Sequence, residues 1–147
     1  MTDLFNLNGF NLDGEPTKFT HATGPVIIKD NKIILHKAPS TEKYQFIGGR
    51  LNDGVSPRQN AINKAKQDLN LEVRIINDTP LPIVGQITRD GKPEQVVLLH
   101  YLAEIVGDEP ENKEYEWFTL EQIEEMTENG EVSSPNILIA SRYFLKN

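Results

Sequence analysis

An α+β fold, a mixed β-sheet held against helices, is the architecture this sequence predicts. Three observations predict it. Short apolar runs rich in Val, Ile, Leu and aromatic residues recur between turn residues, as strands do. Other segments carry apolar residues at helical spacing behind recognisable helix starts. The order is hairpin, hairpin, strand, helix, several strands, helix, helix, and helices set between and after runs of strands place them on the faces of a sheet.

Taken in order, residues 5–14 repeat Phe-Asn-Leu-Asn-Gly as Phe-Asn-Leu-Asp-Gly. Asn8-Gly9 signals a two-residue hairpin turn. In that register Leu7 faces Phe10 and Phe5 faces Leu12, so one face is apolar. A lone two-stranded unit is marginal. This N-terminal extension, residues 1–20, therefore covers the domain's own core, a pocket or a second subunit, and a homodimer is the assembly expected. Val26-Ile27-Ile28 and Ile33-Ile34-Leu35 flank a second turn at 29–32. A short strand at 44–47 runs into Gly48-Gly49, which allows close backbone approach.

Ser56 followed by Pro57, with Gln59 three residues after the serine, starts a helix over 57–69. Ala61, Ile62, Ala65 and Leu69 form its core face, and Asn60, Asn63, Lys64, Gln67 and Asp68 its polar face. Strands follow at 71–76, 83–88 and 95–105, the last two joined by a turn-rich loop at 89–93. Residues 114–118 make a short strand with the single Trp117. Thr119 with Gln122 caps a helix that ends at Asn129-Gly130, and Ser134-Pro135 opens the last one.

The 147 residues read as one domain, long enough to bury a core. With no cysteine, disulfides, thiolate metal sites and a cysteine nucleophile are excluded. No apolar run approaches the ~18 residues of a membrane span, and the N-terminus lacks a signal-peptide layout. The expected location is cytoplasmic, with no membrane partner. The net charge of -7 argues against a nucleic-acid partner. Residues 104–131 hold eleven Asp/Glu and only Lys113 against them. That stretch reads as a solvated acidic loop and helix face, or as a source of one carboxylate (Glu111, Glu114 or Glu116) for a site. His21, His36 and His100 are scattered without zinc spacing.

Residues 48–71, GGRLNDGVSPRQNAINKAKQDLNL, resemble the Nudix box, G-x5-E-x7-R-E-U-x-E-E-x-G-U with U aliphatic. Gly49, Ala65 and Leu71 match it. The charged positions do not: the first Glu is Val55, the Arg-Glu pair is Asn63-Lys64, the Glu-Glu pair is Gln67-Asp68, and the late Gly is Asn70. Over residues 20–146 the element order is also similar to that family, including a Trp-bearing strand before a helix. The resemblance implies an α/β/α sandwich with a central mixed sheet. It also implies a diphosphate hydrolase scaffold, in which glutamates on one helix face hold Mg²⁺ or Mn²⁺.

Here that face keeps one carboxylate, Asp68, a methylene shorter than glutamate and so at best a weak metal ligand. Gln67 offers a neutral oxygen. Lys64 puts a cation where the family has an acid, which repels a divalent ion by several kcal/mol at ~4 Å. No cofactor is therefore expected, Mg²⁺ entering only in the hydrolase alternative. The expected function is binding of a nucleoside diphosphate derivative or other phosphorylated ligand with little or no hydrolysis. Its site would use Gly48, Gly49, Arg50, Arg58, Lys64 and Gln67, with Lys64 in place of the ion. No catalytic residue is expected. Two alternatives stay open: an active pyrophosphohydrolase with carboxylates relocated to the 108–116 loop, and an interaction module without a ligand.

Overall fold

The computed structural model describes residues 18–145. The apolar hairpin expected at 5–12 lies outside them. Strand β1 (Lys18–Lys29) turns at Asp30-Asn31 into β2 (Lys32–Lys37). Both turn residues have positive φ, 52° and 58°, as a type I′ hairpin turn requires. Short β3 (Tyr44–Gln45) and β4 (Gly49–Arg50) follow, so only the first half of the strand expected at 44–47 is one. Helix α1 (Pro57–Leu69) and β5 (Val73–Ile75) come next. Then β6 (Leu81–Arg89) and β7 (Lys92–Ile105) form a long hairpin. Its turn is Asp90-Gly91 alone, both left-handed, tighter than the expected five-residue loop. Strand β8 (Glu116–Phe118) leads to helices α2 (Leu120–Glu128) and α3 (Asn136–Phe144). No helix among the described residues is long and apolar enough to cross a membrane.

The sheet runs β3-β2-β1-β7-β5, with β4 paired to β1, β6 to β7 and β8 to β2. It is mixed because β1 and β7 are parallel, in register from Lys18 with Glu94 to Ile27 with Ala103. The other strand pairs are antiparallel. Alternate strand residues face opposite sides, and each side has its own core. Ile27, Ile47, Tyr101 and Ala103 meet Ala61, Ala65 and Leu69 of α1 on one side. Val26, Ile33 and Leu35 meet Ile123 and Met126 of α2 and Ile137 of α3 on the other. Each fully buried Ile or Leu stabilises by ~1.5–3 kcal/mol relative to exposure. Helices on both faces make the expected α/β/α sandwich.

Helix α1 starts as its sequence dictates: Ser56 Oγ accepts from Gln59 N at 3.1 Å, with Pro57 in the first turn. Asn70, left-handed at φ 55°, ends it. Ala61, Ala65 and Leu69 are buried as predicted, and Ile62 is half-buried against the same core. Asn60 is a correction. It was expected on the polar face and is instead fully buried. Spaced one residue before Ala61 and five before Ala65, it falls where the helix crosses β1, and Thr23 is there to receive it. Helix α2 shows the expected capping box of Thr119 and Gln122. Helix α3 begins a residue later than its serine suggests. Pro135 is the N-cap, and Ser134 donates its hydroxyl to the Asn136 side chain.

Candidate functional site

The Gly-Gly segment is held where three elements cross. Register pairs Ala22 with Arg50 and Thr23 with Gly49. Directly paired residues share a face, so β4 presents Arg50 on the α3 side of the sheet and Gly49 on the α1 side. Asn60 locks this arrangement from α1, its Nδ2 donating to Thr23 Oγ1 at 2.8 Å and to the Arg50 carbonyl at 3.4 Å. Its Oδ1 has no hydrogen-bond partner.

The missing side chain at Gly49 is occupied by Lys64. A Cβ there would lie 2.9 Å from Lys64 Cε and 3.1 Å from Nζ, so a side chain at this position would push the ammonium off the backbone. Neither Lys64 nor Arg50 is ion-paired among the described residues. Two cations thus flank β4, one on each face.

A cavity of about 250 Å³ adjoins the segment, walled by Ala22, Gly24, Phe46, Gly48, Gly49 and His100. It continues, through the shared lining residues Ala22, Leu98, Ser134 and Asn136, into an apolar groove of about 620 Å³ beside Arg50. The floor of the cavity is a hydrogen-bonded chain. Ser134 donates to Asn136 Oδ1. Asn136 Nδ2 donates to His100 Nε2 at 3.1 Å, and His100 Nδ1 donates to the Leu81 carbonyl at 3.2 Å. A carbonyl only accepts, which fixes this tautomer. Burial pushes the His100 pKa below its ordinary value, so the ring is neutral at pH 7.

A depressed imidazole pKa has a defined sign in stability. The contribution of His100 is complete above its unfolded pKa of ~6.5 and is lost as pH falls through the lower folded value. Urea midpoints of the wild type should therefore decline below pH ~6.5 more steeply than those of His100→Gln. Parallel pH profiles for the two proteins would show that the ring is not held neutral.

The other candidates are placed apart. Arg58 is ion-paired to Asp78, Nε to Oδ1 at 2.9 Å. Gln67 and Asp68 are exposed, and neither they nor Lys64 line the cavity or the groove. In the acidic loop, Glu111, Glu114 and Glu116 are exposed, and Glu116 accepts from the Tyr44 hydroxyl. The loop carboxylate that packs inward is Glu109, which sequence reasoning did not single out. It accepts from the Tyr115 hydroxyl and from Trp117 Nε1, and the Tyr115 bond is the main reason its pKa lies below the usual range. Also unforeseen were the buried Asn60 and the Ser134–Asn136–His100 chain. Their polar residue types were visible in the sequence, but the Asn60–Thr23 and Asn136–His100 contacts span 37 and 36 residues and leave no local signal.

The NUDIX domain family matches residues 19–138 of the chain. No curated protein matches it. Among solved structures, a NUDIX hydrolase from Nitrosomonas europaea aligns with a TM-score of 0.66 at 16% identity, covering 86% of this chain and 89% of that one. A NUDIX-family hydrolase from Clostridium perfringens gives 0.63 at 19% identity, over 83% and 93% of the two chains. The C. elegans Ap4A hydrolase gives 0.62 at 20% identity, over 85% and 96%. At these identities the likeness establishes the fold.

Proposed function

This chain belongs to the NUDIX family, and we propose that it binds a phosphorylated small molecule, a nucleoside diphosphate derivative or other phosphorylated ligand, with little or no hydrolysis. The observation that carries this is the Lys64 ammonium resting on Gly49, whose backbone lines the cavity from the other side. It stands where a Nudix box has a metal-binding glutamate. A lysine is a competent phosphate partner as a point charge, and Arg50 supplies a second cation across β4. The C. elegans relative is by name a hydrolase of Ap4A, itself a phosphorylated small molecule.

The divalent ion of the family does not fit the residues present. Among the described residues no three His, Asp or Glu side chains gather as a metal site. Mg²⁺ wants carboxylate oxygens, and Lys64 opposes it. No hydrolytic step is therefore derived. What the chain's own groups can do is neutralise a phosphate and orient it along β4.

The test is binding to pyrophosphate and ADP, by thermal shift and calorimetry, in chelator and again with Mg²⁺. Stabilisation in chelator is expected, weaker at high salt as a screened charge interaction must be. Lys64→Ala is expected to weaken it at least tenfold, whereas Lys37→Ala on β2 leaves it unchanged. Turnover with Mg²⁺ is expected near background. Robust turnover that Asp68→Ala abolishes would instead establish the hydrolase with relocated carboxylates. No shift with any phosphate would favour an interaction module.

A further inference from the structure

The groove beside Arg50 has a chemistry of its own. Its floor and sides are aliphatic: Ile83, Ile87, Val96, Leu98 and Ile139. Among the described residues no aromatic ring lines it. Apart from Arg50, its polar lining residues make hydrogen bonds within the protein. Thr20 Oγ1 donates to Glu94 at 2.8 Å, and Gln86 Oε1 accepts from Gln95 at 2.7 Å. Ser134 and Asn136 are tied into the chain that ends on His100. A nucleobase is held by ring stacking and by free donors and acceptors on its edges, and among the described residues this groove offers no ring and, Arg50 aside, little uncommitted hydrogen bonding.

What it offers is apolar surface next to a charge. Ile87 is 39% exposed and Ile139 51%, although both border the groove. Its volume of about 620 Å³ is that of a small-molecule site. Arg50 stands at its margin with no carboxylate partner among the described residues. From this complementarity, and resting on the phosphate-binding function above, we propose that the ligand is an aliphatic diphosphate, an alkyl or prenyl chain lying in the groove with its charged end at Arg50.

Gly85 gives a clean test. It lines the groove, and a Cβ built on it meets nothing within 4 Å. Gly85→Phe therefore projects a ring at the groove wall from an exposed strand, at a position where a Cβ meets no neighbour. The full-length protein is titrated, in chelator, with pyrophosphate, ADP and prenyl diphosphates of rising chain length, each below its micelle concentration. The dissociation constant is expected to fall with length, by up to about fourfold per buried methylene. Gly85→Phe should remove that length dependence and leave pyrophosphate affinity unchanged.

Pyrophosphate binding with no gain from the chain would overturn this proposal and leave the phosphate-binding function intact. So would an ADP affinity exceeding that of every prenyl diphosphate and lost in Gly85→Phe, which would make the groove a nucleoside pocket. Failure of pyrophosphate, ADP and prenyl diphosphates alike would remove both. A dimer that Ile139→Lys dissolves, without any chain-length effect, would assign the face to a second copy.

Discussion

At neutral pH, Asn60→Asp is expected to cost several kcal/mol of stability, a large part of the ~5–15 kcal/mol that a domain of this size has. Asn60 is fully buried between α1 and β1. Its Nδ2 serves the Thr23 hydroxyl and the Arg50 carbonyl. A carboxylate there would keep one donor, the threonine, and would face the carbonyl as a second acceptor. Lys64, one helical turn on, would offset only ~0.5 kcal/mol as an i,i+4 pair.

The sign with pH is fixed by desolvation, which raises the pKa of the introduced carboxyl above its unfolded ~3.9. Below that pH the variant should regain most of its stability relative to the wild type. The loss should grow as pH rises through the folded pKa and be complete above it. Asn60→Ala, which removes the bonds without adding charge, should cost ~1–2 kcal/mol with no such pH dependence. Urea midpoints of the three proteins across pH measure this. A deficit for the aspartate variant that does not change with pH would mean that water reaches the site.

Gly24→Ala is expected to destabilise by about 1–3 kcal/mol or more and to weaken phosphate binding with it. A Cβ at position 24 would sit 2.1 Å from the Ile47 carbonyl oxygen and 2.9 Å from Gly48 Cα. Both obstacles are backbone, so no rotamer change relieves them, and β1 has to part from the segment that enters β4. That segment carries Gly49 and Arg50, so the seat of Lys64 moves with it. Faster amide exchange at Leu51, whose N–H donates to His21 O at 2.9 Å, would locate the opening. A Gly24→Ala protein as stable as the wild type, with its ligand affinity intact, would show that the loop has slack the structure does not display.

Helix α1 and the two caps were legible because their causes are local. Ser56, Pro57 and Gln59 set one helix start, Thr119 and Gln122 another, and the spacing of Ala61, Ala65 and Leu69 marks the buried stripe. The hairpins were legible for the same reason, in the turn residues at 29–32 and 89–93, although the second closes on Asp90-Gly91 alone. The sequence also carried the Nudix resemblance, and with it Lys64 at an acid's position.

Tertiary structure alone decided three things. The parallel pairing of β1 with β7 joins residues 76 apart, and residues 18–24, Lys-Phe-Thr-His-Ala-Thr-Gly, carry no apolar alternation to announce a strand. Asn60 is polar by type and sits one position from the apolar stripe, so only the Thr23 hydroxyl waiting on β1 makes its burial tolerable. The Lys64 contact with Gly49 and the aliphatic groove beside Arg50 need both faces of β4 to be set at once. That placement follows from the register of β4 on β1, a long-range choice made by packing and hydrogen bonding rather than by any residue's own preference.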